Sequence, residues 1–213
     1  MINLLILGAS GQIAQLAEEL LHKHQEVKVT YYLRHIDKFP SARKDWGTII
    51  QGDVTDTTKL TQAMTDQDII YANLAGNNIE QQAKSTVKAM KKQHIKRLIW
   101  ISTLGIYNEV PGKFGEWNNQ MLGESYLPTY AAAAKVIENS GLNYTIIRPA
   151  WLQDKDEIDY ELTQKNESFK GTEVSRKSIA SLITDLVLNP SKHVNESLGV
   201  NKPNTDGDKP SWY

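Results

Sequence analysis

The chain has 213 residues, with 24 basic against 25 acidic side chains (formal charge −1), 40% apolar residues and no cysteine. The charge balance excludes the strongly basic surface that nucleic-acid binding requires. The missing cysteine excludes disulfides, thiolate metal sites and cysteine nucleophiles. No apolar run nears the ~20 residues of a membrane span, and the start lacks the basic region of a signal peptide, so a cytoplasmic protein is expected. At about 150 residues per domain, the length predicts one domain, residues 1–213, with room for a small appendage.

Ile2 to Leu7 is an apolar run ending in Gly8, the pattern of a strand covered on both faces. Ile13, Leu16, Ala17, Leu20 and Leu21 then recur at helical spacing between Gly11 and His24. The alternation continues: strands are predicted over 27–33, 48–51, 68–72 and 97–102, helices over 58–64 and 79–92. A further helix is expected over 122–140, with Pro128 starting, kinking or dividing it and Gly141 past its end. A strand follows over 144–148. Alternating strands and helices imply βαβ units on a parallel sheet, so the fold class is α/β, Rossmann-like and doubly wound. Residues 104–128 read as loop-rich, 149–175 as polar and irregular, and the end from about Asn201 as loosely held. Between them lies a helix with Ser175 as its N-cap and Asn189-Pro190 as its stop.

The most informative segment is Gly8-Ala9-Ser10-Gly11-Gln12-Ile13-Ala14, between the first strand and the first helix. A dinucleotide pyrophosphate needs a tight turn, close backbone approach and helix N-terminal amides aimed at its charge. Gly8 supplies the turn, Gly11 the approach and Ser10 a hydroxyl, with Ala14 where the fingerprint tolerates alanine. After strand two the residues are Arg34-His35-Ile36-Asp37-Lys38. An acidic residue there would hold the ribose 2′-hydroxyl of NAD, whereas arginine favours the 2′-phosphate of NADP. Arg34, assisted by Lys38, therefore favours NADP(H) over NAD(H).

This loop resembles that of the atypical short-chain dehydrogenase/reductases, in particular the NAD(P)H-binding, NmrA-like group. The resemblance continues through Leu33-Arg34, the segment 51–56 (Gln-Gly-Asp-Val-Thr-Asp), the strand 68–73, Leu98 to Thr103, Ser140 to Pro149 and, more weakly, Val174 to Ala180. It implies that Asp53 accepts from the adenine amine and Val54 packs on the ring. Ala72, Asn73 and Leu74 would approach the ribose, while Ile101, Ser102, Pro149, Ala150 and Trp151 would flank the nicotinamide. Short-chain dehydrogenases commonly add a Ser and a Tyr four residues before a Lys, which lowers the Tyr pKa for proton transfer. Here the nearest match is Tyr130 and Lys135, five apart. On a helix that is about 500°, leaving the side chains about 140° out of line. Ser102, Tyr130 and Lys135 are the candidate catalytic residues, Lys135 also as a ribose contact, with Tyr107 and Tyr126 as alternative acids.

Some relatives, the flavin and biliverdin reductases, work without the Tyr/Lys pair, because an acceptor with its own proton-accepting ring needs mainly positioning. The expected function is hydride transfer from NAD(P)H to a quinone, flavin or similar conjugated acceptor. The alternative is a non-catalytic NADP(H)-binding redox sensor. A sugar-nucleotide epimerase ranks third, since little chain follows residue 149. The five histidines have no metal-ligand spacing, and the acidic stretch 154–161 lacks a Ca²⁺-loop pattern. Trp117, Trp151 and Phe114 are candidates for the substrate mouth.

Overall fold

Strand β1 (Ile2–Leu7) shows how the layers form. Its side chains alternate between faces: Leu4 and Ile6 join one apolar cluster, Leu5 and Leu7 another. All four are fully buried, each contributing about 1.5–3 kcal/mol relative to exposure. In the computed structural model, which describes residues 1–213, β1 is followed by α1 (Gln12–Leu21), β2 (Val27–Leu33), two short 3₁₀ turns and β3 (Thr48–Gln51). Next come α2 (Thr57–Ala63), β4 (Ile69–Ala72), α3 (Ile79–Lys92), β5 (Arg97–Ile101), α4 (Gly112–Glu138) and β6 (Asn143–Pro149). The remainder holds β7 (Trp151–Gln153), β8 (Glu161–Thr163), β9 (Glu173–Ser175), α5 (Arg176–Leu188) and β10 (Glu196–Asn201).

Eight strands form one sheet in the order β3-β2-β1-β4-β5-β6-β10-β8, parallel except for the antiparallel edge strand β8. β7 and β9 pair separately. Helices α1 and α5 cover one face through Ile13, Ala17, Leu21, Ile179, Ile183 and Leu186. α2, α3 and the second half of α4 cover the other through Leu60, Ala83, Met90, Ala133 and Ile137. This is the doubly wound Rossmann arrangement that the sequence predicts. Strand order reverses between β1 and β4, which opens a crevice at the carboxyl ends of the strands. No helix is long and apolar enough to cross a membrane.

Two local expectations hold. The Ser175 hydroxyl accepts from the Ser178 amide at the start of α5, and Gly141 has the positive φ of 74° expected past a helix end. Three others need correction. Helix α4 begins at Gly112 rather than Leu122 and is broken at Gly123 (φ 69°, ψ 175°), with Pro128 in its second half. The break lets Phe114 pack into one layer and Tyr130 into the other, so no single apolar stripe runs the length of the helix. Residues 149–175 are not irregular throughout, since they contain β7, β8 and β9. The end of the chain is anchored: the Lys202 and Ser211 amides donate to Glu173, and Thr172 donates from both its amide and hydroxyl to the Thr205 carbonyl. Polar anchoring of this kind leaves no hydrophobic period to read.

Candidate functional site

Gly8 has φ +75°, and a Cβ there would lie 2.2 Å from the Asn73 carbonyl oxygen. A Cβ on Gly11 would lie 2.0 Å from Asn73 Nδ2. Both glycines thus accommodate the end of β4, and with it bring the loop over the crevice. Gly11 is the N-cap of α1 and offers no side-chain cap, so the first-turn amides of Gln12, Ile13 and Ala14 lack intrahelical acceptors and carry the positive end of the helix dipole. Gln15 Nε2 donates to the Ser10 carbonyl at 2.9 Å and steadies the turn.

This loop forms one wall of a cavity of about 230 Å³. Gly8, Ser10 and Gly11 meet Arg34, His35 and Lys38 beyond β2, Asp53 and Val54 beyond β3, and Asn73 and Leu74 beyond β4. Asp53 Oδ1 accepts from the Thr55 hydroxyl at 2.7 Å and its amide at 2.8 Å. These bonds, with Arg34 nearby, hold its carboxyl below the usual range, so Asp53 is an acceptor at neutral pH. Arg34 Nη1 is 3.9 Å from Asp53 Oδ2, and the Arg34 side chain is 64% exposed. A pair that loose leaves most of the guanidinium fork free for an incoming anion.

A second cavity of about 350 Å³ lies past the ends of β5 and β6. Thr103, Leu104, Leu122, Ala150, Trp151, Leu152, Arg176, Trp212 and Tyr213 line it. Trp151 is oriented by a 2.9 Å hydrogen bond from Nε1 to Asn118 Oδ1, and its ring lies 4.7 Å from Trp117 and 5.5 Å from Tyr213. Ile101 and Pro149 are buried at the ends of the flanking strands, as is Ala72 at the end of β4. Ile13 is buried in the core, whereas Gln12 is exposed. Ser102 is 7% exposed and its hydroxyl has no hydrogen-bond partner.

The structure does not bring the candidate catalytic trio together in either cavity. Tyr130 is buried in the apolar layer, stacked 4.3 Å from Tyr126, and Lys135 is exposed on α4. The five-residue spacing points them apart, as the helix geometry predicts. Tyr126 is pushed well above its usual pKa, first by burial. Tyr107 is too: its hydroxyl donates to Glu138 at 2.7 Å and lies 3.1 Å from Ser197 Oγ. Beneath it the fully buried Arg148 pairs with Glu109 and donates to Ser197 Oγ and the Ser197 carbonyl. These groups tie β6 to β10 and to the loop after β5, which is a structural role. Sequence reasoning missed Tyr32, Gly52, Ala75, Asn78 and Gln82 in the first cavity, and Leu122, Arg176, Trp212 and Tyr213 in the second. Two adjacent aromatics in a tail otherwise rich in Pro, Gly, Asp and Asn were the available signal.

The family described as NAD(P)H-binding matches residues 8–190. A Rossmann-fold NAD(P)-binding family protein from Shigella flexneri is 48% identical, with 99% of this chain and 98% of that one covered at a TM-score of 0.87. A short-chain dehydrogenase/reductase from Veillonella parvula, solved in complex with NADP, is 32% identical, with 99% of each chain covered at a TM-score of 0.91. The anaerobilin reductase ChuY of Escherichia coli O157:H7 is 19% identical over 96% of this chain and 99% of its own, at a TM-score of 0.80, a likeness of fold alone.

Proposed function

The chain belongs to the NAD(P)H-binding family of Rossmann-fold, short-chain-dehydrogenase-like proteins, and from that premise we propose that it is a reductase moving hydride from NADPH to a quinone, flavin or similar conjugated acceptor. One observation carries the reading. An aromatic-walled cavity lies past the carboxyl ends of β5 and β6, a loop-walled cavity lies at the carboxyl ends of β1 to β4 of the same sheet, and neither Tyr130 nor Lys135 lines either one.

The residues present fit a dinucleotide: two glycines at a close approach, uncapped amides and a free guanidinium. Ser10, Gly11 and the amides of Gln12 and Ile13 would hold the pyrophosphate, and Arg34 with Lys38 the 2′-phosphate that distinguishes NADP from NAD. Asp53 would accept from the adenine amine while Val54 packs on the ring. Asn73 and Leu74, backed by Ala72, would border the ribose. Ile101, Pro149 and Trp151 would flank the nicotinamide. Bound there, the dinucleotide supplies a hydride, which with one solvent proton converts a quinone to a hydroquinone. The protein's part is to orient the acceptor, exclude water and donate a hydrogen bond to an acceptor oxygen from Thr103, the hydroxyl that lines the second cavity, while the Ser102 hydroxyl is buried behind it. Residues 149–213 form the substrate side of one domain.

The test is NADPH oxidation across an acceptor panel. Turnover of naphthoquinones or flavins, unchanged by Tyr130→Phe and lowered by Thr103→Val, is the expected result. NADPH binding without turnover of any conjugated acceptor would favour a second reading, an NADP(H)-binding redox sensor, to which the separation of Tyr130 from Lys135 already lends support.

A further inference from the structure

Resting on the reductase reading, we propose that the acceptor is a planar aromatic molecule bearing an anionic substituent, and that Arg176 is the residue that selects it. Seven of the nine residues lining the second cavity are hydrophobic, and the other two are Thr103 and Arg176. A flat apolar ligand gains area against Trp151, Trp212 and Tyr213, which meet at angles rather than in one stack. Trp212 is 45% and Tyr213 49% exposed, so these faces still have apolar area for a ligand to cover.

Arg176 supplies the charge. Its side chain is only 20% exposed, packed at the cavity rather than extended into solvent. It is the first residue of α5, where a cation meets the unfavourable end of the helix dipole, so its position is not explained by helix stability. Only Nη1 is engaged, by Asp154 Oδ1 at 2.7 Å, which leaves Nε and Nη2 without partners in the protein. Asp154 is 76% exposed, and an exposed ion pair of that kind is weak. A sulfonate, carboxylate or phosphate on the acceptor can therefore take the rest of the fork bidentately, with its ring among the aromatics.

The experiment compares two anthraquinones alike in shape and differing in charge, anthraquinone-2-sulfonate and anthraquinone-2-sulfonamide, by calorimetric titration into the NADP⁺-loaded protein. The sulfonate is expected to bind about tenfold more tightly than the sulfonamide. In Arg176→Gln it should fall to the level of the sulfonamide, whose own Kd stays the same. Asp154→Asn, which removes the competing carboxylate, should strengthen sulfonate binding only. Trp212→Ala should weaken both compounds alike. Equal affinities in the unaltered protein, no binding of either compound, or a preference that survives Arg176→Gln would overturn the proposal. Quinone turnover without the charge preference would leave the reductase standing and remove Arg176 as its selector. The preference without any turnover would establish the selector and remove the reductase.

Discussion

The strands from β1 to β5 and the segment after β6 are held by different forces. In the first region, fully buried Leu4, Leu5, Ile6, Leu7, Ile70, Leu98 and Ile99 meet apolar helix faces, and the crevice is shaped by backbone, with glycines at the β1–α1 turn pressed against Asn73. In the second, buried polar groups recur. Glu173 accepts from the Ser211 amide, Ser175 bonds to Ser178 and the Glu157 carbonyl, and Asn201 donates to Glu161. A grip on a ligand part common to many proteins needs only backbone geometry. A pocket that must differ between relatives is better built from side chains whose partners can be exchanged.

The largest effect expected is at the seam between the two regions, where Arg148 of β6 bonds to Ser197 of β10. Arg148 and Glu109 are 0% and 4% exposed, and removing one partner leaves a buried charge uncompensated. Glu109→Gln should destabilise the protein by about 3–5 kcal/mol in urea unfolding; a loss under about 1 kcal/mol would show that the join of β6 to β10 does not depend on this buried pair. On the backbone-shaped side, Arg34→Ala should raise Kd for NADPH by about tenfold or more and leave NADH nearly unchanged, because only NADPH carries the 2′-phosphate. Equal losses for both cofactors would refute that assignment. Removing the cap of α5 with Ser175→Ala should cost about 1 kcal/mol, somewhat more for its extra bond to Glu157.

A pH-dependent effect is expected where the first region breaks its own rule. Glu18 is a fully buried carboxyl on α1, and burial pushes its pKa up to about 8 against the opposing pull of Arg43. Its folded pKa lies above the unfolded value of 4.5, so its contribution to stability is complete below about 4.5 and is lost as pH rises through about 8. Thermal unfolding followed across that window should show stability falling with pH, with a flatter profile in Glu18→Gln. Parallel profiles would show that Glu18 is not the group responsible.

The contrast between the two regions also explains what could be read from sequence. β1, β2 and β5 announce themselves as apolar runs because both faces are covered, and Ser175 and Gly141 because caps and turns have their own chemistry. β10, Glu-Ser-Leu-Gly-Val-Asn, and the three-residue strands β7, β8 and β9 carry too few apolar positions to show a period. α4 was half hidden because Gly123 divides it between two layers. In the first cavity the glycine loop, Arg34, Asp53 and Asn73 were legible from motif and order. Arg176, Trp212 and Tyr213 were not, since they reach the second cavity through contacts far apart in the chain.

The clustering of indole rings has an optical consequence. Of five tryptophans, Trp151 and Trp212 line the second cavity and Trp117 lies against Trp151, while Trp46 stacks on His22 and Trp100 is buried in the sheet. Indole emission overlaps the absorption band of reduced nicotinamide, so energy transfer from this cluster would report the cofactor's arrival and its oxidation. A quinone entering among the same rings would quench them directly. With both ligands bound as proposed, the tryptophans would serve as an intrinsic spectroscopic probe, with sensitised nicotinamide emission marking the cofactor and direct quenching marking the quinone.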